Sequence, residues 1–248
     1  MPWQPAVVTS RSKDSRSAAK RSGLASPRMS LPPSAIKTSQ GAAELPSCRG
    51  PALSRAPAAA LLSTAHALLA AKAAGHSHVL LDGTLIATDR IATPGPTRGV
   101  DLWWSGKHRH HGGNIQVVSA PDGWPLWTSP VRPGREHDTT AARTDPDLLT
   151  QITAWVDDGR LGLADLGYEG EADLLRIPIK KPAHGELTVD QQAYNAVHGA
   201  LRCLGERANS LLKTTFKALR RWRGCPWRIG DIVAAGLVLL HHEHRRTT

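Results

Sequence analysis

Cysteine is scarce in this 248-residue chain: Cys48, Cys203 and Cys225 form no CxxC pair, and one is left over from any pairing. That pattern supports neither a zinc knuckle nor a disulfide framework, and it fits a reducing cytosol. Acidic residues are in deficit, with 21 Asp and Glu against 31 Lys and Arg, for a formal charge of +10. A polyanionic partner follows, nucleic acid ahead of an anionic membrane surface. No stretch reads as a leader or a span. Ala56 to Ala74 is Ala-rich but carries His66 and Lys72 and lies far from the N-terminus, and Val233 to Leu240 is too short to cross a bilayer. Bulky apolar periodicity is missing from residues 1–57, which are rich in Ser, Pro, Ala and Arg. Such a segment cannot build a core and is expected to be a disordered basic tail ahead of one folded domain at 58–248.

What is present is an alternation of short apolar runs and helical patterns. Leu61 to Ala74 reads as a helix with Leu62 and Leu69 on its apolar face and Gly75 as C-cap. Val79 to Thr88 reads as a buried strand. After the Pro/Gly-rich connection Ala92 to Gly99, Asn114 to Ala120 and Trp124 to Val131 form a hairpin about Pro121-Asp122-Gly123. Thr139 to Arg143 begins a helix, and Asp145-Pro146-Asp147 opens a better one through Leu148, Ile152 and Trp155 to Gly159. Leu161 to Ala164 and Leu174 to Ile179 read as further strands. A long helix is expected over about Val189 to Trp222 and a last one over about Pro226 to His242. The class is α/β, a mixed sheet flanked by helices.

Within this pattern one charge is out of place. Asp82 interrupts the apolar run VLLDGTLIAT, where an unpaired carboxylate is costly, and the cheapest compensation is a divalent cation. Gly83 and Thr84 follow, so backbone and hydroxyl can approach a ligand. Taken alone, Asp82 reads as well as a strand-end cap. Asp165 ends a later strand, and Glu206 heads Lys213, Lys217 and Arg220 on one face of the long helix, opposite Leu201, Leu204, Ala208, Leu211, Leu212 and Leu219. A D, D, E series in the order strand, strand, helix is far more specific than any member. Phosphodiester cleavage needs the attacking oxygen activated and the leaving oxygen stabilised, which two divalent ions about 4 Å apart accomplish, and hard carboxylate ligands select Mg²⁺ or Mn²⁺.

LDGT at 81–84, DLWWSGKHRHHGGN at 101–114, PGREHD at 133–138, LADLGYEG at 163–170 and LRCLGERANSLLKTTFKALRR at 201–221 carry a resemblance. Together they resemble the DDE domain of bacterial insertion-sequence transposases of the IS5 group, related to the Harbinger-type DDE endonucleases, over about Ser77 to Leu240. The resemblance implies an RNase H-like fold with Asp82, Asp165 and Glu206 as catalytic metal ligands, Asp82 and Asp165 holding two ions and Glu206 completing one. It implies hydrolysis by water first, then attack of a DNA 3′-hydroxyl on target DNA. Element ends and target DNA would be the partners of a homo-oligomer on DNA, with no membrane, in a bacterial cytoplasm at the nucleoid. Family members usually carry an N-terminal helix-turn-helix that reads the element ends; residues 1–57 show no such pattern, so a truncated or frame-shifted start is expected. The competing reading is a catalytically inactive DNA-binding remnant.

Two clusters stand beside the triad. Asp138 with His137 is the strongest rival catalytic group, ranked below the triad, and next to the site Asp138 is expected to orient a metal ligand from behind it. Lys107, His108 and Arg109 read as a basic strand on phosphate, and equally well as a solvated loop, joined in DNA binding by Arg202, Lys213, Lys217 and Arg220. The run His241 to Arg246 resembles a metal-binding tract, and a helix end whose cations favour the dipole explains it equally. Trp103 and Trp104 are read as packing residues.

Overall fold

The computed structural model describes residues 63–246. The expected disordered segment 1–57 lies outside the described residues, as does Cys48. The first helix, α1 (Thr64–Ala73), starts where Ser63 accepts a hydrogen bond from the His66 amide and is followed by Gly75 at φ +76°. Its buried stripe is Thr64, Ala67, Leu68 and Ala71, at offsets of one helical face; Leu69, expected inside, is exposed.

A mixed sheet of seven strands follows, built on β1 (His78–Thr88) and β3 (His110–Ser119), which run antiparallel with Asp82 opposite Val117 and Thr84 opposite Ile115. The free edge of β3 is shared by three short strands: β2 (Trp104–Ser105), β4 (Pro125–Thr128) and β5 (Arg132–Pro133). Pro121 to Gly123 turns the hairpin between β3 and β4 as expected, but only Pro125–Thr128 of the second run is strand; Pro130, which cannot donate to a ladder, falls in the break before β5. At the hairpin tip Gly123 has φ +77°, and a Cβ there would lie 2.1 Å from the Leu204 carbonyl oxygen. Gly123→Ala therefore meets both left-handed strain and a backbone clash; it should lower unfolding free energy by at least about 2 kcal/mol in urea titration.

Two helices, α2 (Asp138–Thr144) and α3 (Leu148–Asp157), lead to β6 (Leu161–Leu163). Asp145 Oδ1 accepts from the amides of Asp147 and Leu148 at 3.1 and 3.0 Å, and Gly159 at φ +80° closes α3. Strand β6 joins β1 in parallel at His78–Leu80. The expected strand Leu174–Ile179 does not form; only a bridge between Arg176 and Leu163 remains. Side chains of the next helix satisfy that backbone instead. Asn195 bonds both the Ile179 amide and carbonyl, Tyr194 bonds the Ile177 carbonyl, and His198 bonds the Arg176 carbonyl.

That helix, α4 (Val189–Thr215), begins with a capping box in which Thr188 and Gln191 exchange hydrogen bonds. It ends seven residues before Trp222, the expected terminus. Phe216 leaves in extended geometry, Arg220 Nε donates to the Lys213 carbonyl at 2.9 Å, and after a 3₁₀ turn at Lys217–Leu219 the chain pairs Arg221–Trp222, β7, with Ala87–Thr88 of β1. Its buried stripe is His198, Gly205, Ala208 and Leu212, while Leu201 and Leu204 are exposed rather than inside. The last helix, α5 (Ile229–Glu243), packs on β4 and α4, with Gly236 against the Phe216 ring. His241 and His244 pack on buried Trp124, whose Nε1 meets His241 Nε2 at 3.1 Å, so two histidines of this run are engaged in packing. The result is the mixed sheet flanked by helices expected of an RNase H-like fold, and among the described residues no helix is long and apolar enough to cross a membrane.

Candidate active site

Strand β1 has a gap along one edge. β6 pairs with it only as far as Leu80 and β7 begins at Ala87, so the residues between have no partner strand on that side. Asp82 stands in this gap. Asp165, just past β6, caps the 3₁₀ turn Leu166–Glu171 by accepting from the Gly167 amide at 2.8 Å. Helix α4 crosses the same gap and brings Arg202, Glu206, Asn209 and Lys213.

Arg202 ties the expected triad together. Its Nη1 lies 3.5 Å from Asp82 Oδ1 and 3.9 Å from Asp165 Oδ2, and its Nη2 lies 3.4 Å from Glu206 Oε1. Asp82 and Asp165 are largely enclosed, whereas the Glu206 side chain is 68% exposed and reaches the others only through Arg202. Burial pushes the Asp82 carboxyl up to about 6, with Asp165 and Asp138 adding repulsion and Arg202 and Lys107 opposing it. Asn209 Nδ2 donates to Asp82 Oδ2 at 2.8 Å, while Asn209 Oδ1 is buried without a hydrogen-bond partner. Lys213 is half-buried; desolvation lowers its ammonium pKa and the Asp82 charge works against that.

A fourth carboxylate faces the site. Asp138, the first residue of α2, accepts from Asn114 Nδ2 at 2.9 Å and from Lys107 Nζ at 3.1 Å. Two glycines make room for it. A Cβ on Gly83 would lie 2.2 Å from Asp138 Oδ1, and one on Gly167 would lie 2.7 Å from Asp165 Oδ1 and 3.1 Å from Asp138 Oδ2. Asp138 and Asp165 thus border the same small space at the floor of a cleft of about 600 Å³, with Lys107, His108 and His137 also on its walls. Another hollow of about 480 Å³, beside Arg90, Trp104 and His111, holds none of these four carboxylates.

Lys107, His108 and Arg109 do not form a strand. They turn the chain from β2 into β3, with Arg109 at φ +56°, which projects Lys107 toward Asp138. His111, on β3, is engaged by Asp101 at 3.0 Å. Burial lowers the His108 pKa, and Lys107 adds to this. The helix-face argument holds for Glu206 and Lys213 only, because Lys217 and Arg220 lie beyond the end of α4. Neither makes an ion pair with the carboxylates. Sequence reasoning missed Asn209, and it missed Asn114 and Gln116, although two amides two residues apart inside the apolar run of β3 were a visible signal.

Among the described residues, no three His, Cys, Asp or Glu side chains stand close enough to hold a cation as they are. Arg202 and Lys107 supply the positive charge between them. The chemistry of the site nonetheless fits a divalent ion. Its donors are hard carboxylate oxygens, burial disfavours the bare charge of Asp82, a buried amide oxygen is unused, and glycine leaves open a space that one methyl would fill. Both cations are on long flexible side chains that can leave.

An α/β sheet that brings carboxylates to a gap in its central strand, beside a basic turn, is the arrangement expected above for a nuclease-type enzyme. The chain belongs to the DDE superfamily endonuclease family, whose model matches residues 81–241, from Leu81 in β1 to His241 in α5. All four carboxylates fall inside that match. No curated protein and no solved structure matches the chain.

Proposed function

We propose that this protein is a transposase of the IS5 group that cleaves DNA and transfers the cut strand, with Asp82, Asp165 and Glu206 as catalytic ligands of two Mg²⁺ or Mn²⁺ ions. The observation that carries this reading is the single guanidinium, Arg202, in reach of all three carboxylates from β1, the end of β6 and α4. Bound divalent ions would supply Lewis-acid stabilisation of the attacking and leaving oxygens.

The chain's own groups do the rest. Asp82 and Asp165 would hold the ions, and Glu206 would complete the set. Arg202, released from the carboxylates, is free to pair with a phosphate through its planar fork. Lys107 and His108 line the cleft and bind the backbone of the DNA, while Lys213 sets a charge beside Asp82. Arg109, Lys217 and Arg220 extend the basic surface. Two DNA ends and a target would be handled by a homo-oligomer in the bacterial cytoplasm.

Purified protein with Mn²⁺ should nick supercoiled plasmid, and Asp165→Asn or Glu206→Gln should each abolish nicking. Unchanged nicking in either variant would refute the site; no nicking by the unaltered chain, with DNA binding retained, would favour an inactive DNA-binding remnant. Binding itself should fall steeply with salt. Lys107→Ala should weaken it on every sequence and reduce the slope of log K against log salt by about one unit.

A further inference from the structure

Beneath the cleft runs a chain of buried polar groups that the triad does not use. Tyr168 Oη donates to Gln116 Oε1, Gln116 Nε2 donates to Asn114 Oδ1 at 3.0 Å, and Asn114 Nδ2 donates to Asp138 Oδ1 at 2.9 Å. Tyr168 and Gln116 are fully buried and Asn114 is 6% exposed. The sense of this chain is fixed by its end. An ionised carboxylate only accepts, so Asn114 must present its amino group to Asp138, its own oxygen must then accept from Gln116, and the Gln116 oxygen is left for the phenol. Burial and the nearby carboxylates raise the Tyr168 pKa well above its ordinary value, so the phenol keeps its proton.

A buried polar network of this kind is costly unless every member is satisfied, and it positions what lies at its end. That end is the carboxylate laid over Gly83, facing Asp165 across the space that Gly167 leaves open. Two of its lone pairs are taken, by Asn114 and Lys107, which leaves each oxygen one more.

We propose that Asp138 is a fourth ligating carboxylate, binding a divalent cation together with Asp165 from the cleft side, and that Tyr168, Gln116 and Asn114 are positioning residues that aim it. This rests on the metal-dependent reading above and changes its content. Asp138 becomes a ligand in its own right, and Glu206, exposed and reached only through Arg202, becomes the outer member of the set.

The test is Mn²⁺ titration of the full, metal-free chain by calorimetry, without DNA or turnover. Asp138→Asn keeps the shape of the side chain and should weaken Mn²⁺ binding by more than tenfold. Tyr168→Phe removes one hydroxyl remote from the cleft and should weaken it by about tenfold, the scale expected when a group behind a ligand is lost. Should Asp138→Asn fail to fold, the Tyr168→Phe titration decides alone. Wild-type Mn²⁺ affinity in both variants, or in Tyr168→Phe where it alone folds, overturns the proposal, provided Asp82→Asn has lost binding. If Asp82→Asn also binds like the unaltered chain, the metal-dependent reading fails with it. Loss in Asp138→Asn with none in Tyr168→Phe overturns the positioning role while upholding the ligand.

Discussion

Asp82→Asn should make the metal-free protein more stable and its DNA cleavage undetectable. The two effects have one cause. In the fold the Asp82 carboxyl titrates near 6 against an ordinary value of 3.8, because burial and the charges of Asp165 and Asp138 outweigh the attraction of Arg202 and Lys107. Between about pH 4 and pH 6 the folded chain therefore keeps a proton that the unfolded chain has released. Stability contributed by this group is present below about pH 4, falls as pH rises through that window, and is lost above about pH 6, where the charge is held at a cost of up to roughly 3 kcal/mol. The amide has no proton to lose. The difference between the thermal midpoints of Asp82→Asn and the unaltered chain should grow by several degrees from pH 4 to pH 7 and then level off. A difference that stays flat, or a variant that still cleaves, would show that Asp82 is an ordinary surface acid.

Gly83→Ala should be nearly as damaging to cleavage, by a different route. The backbone at Gly83 lies in a regular strand that alanine adopts, so the fold is preserved. Its methyl, however, would lie 2.2 Å from Asp138 Oδ1 and 2.6 Å from its Cγ, with Gln116 Nε2 at 3.2 Å. Asp138 must swing away. A displacement of about 1 Å at such a site costs on the order of a hundredfold in rate, which plasmid nicking with Mn²⁺ would register. Gly199→Ala is the matching control: on exposed α4 a Cβ there meets nothing within 4 Å, and it should add up to about 1 kcal/mol of stability with cleavage unchanged. Equal loss in both alanine variants would mean that glycine at 83 is not there to admit a carboxylate.

Much of the fold was legible because local rules decided it. A charge inside VLLDGTLIAT marked the central strand, Gly75 and Gly159 marked helix ends, and Pro121-Asp122-Gly123 marked the hairpin. The sequence order strand, strand, helix of Asp82, Asp165 and Glu206 is the order in which the chain delivers them to Arg202. Failures came where distant partners overrode a local pattern. Ile177 and Ile179 look like strand residues, yet Tyr194 and Asn195 capture their backbone before a neighbouring strand can. The apolar period of α4 continues to Leu219, and nothing local marks Phe216 as the point where the chain turns to pack on Gly236 and pair with β1. Lys107 to Arg109 read equally as strand or loop, and the left-handed conformation of Arg109, which closes a tight turn, decides for the loop. Asp138 was read as standing behind the triad, and nothing local shows that it faces Asp165, since the space between them exists only because Gly83 and Gly167, 84 positions apart, lie against the same carboxylate.

Crystals of the full chain grown with Mn²⁺ and measured at the manganese absorption edge address the central claim most directly. Anomalous density in the gap of β1, bonded by Asp82 and Asp165 with Arg202 swung away from both, is the expected result. Manganese absent from that gap at millimolar concentration, with Arg202 still bridging the carboxylates, would contradict it.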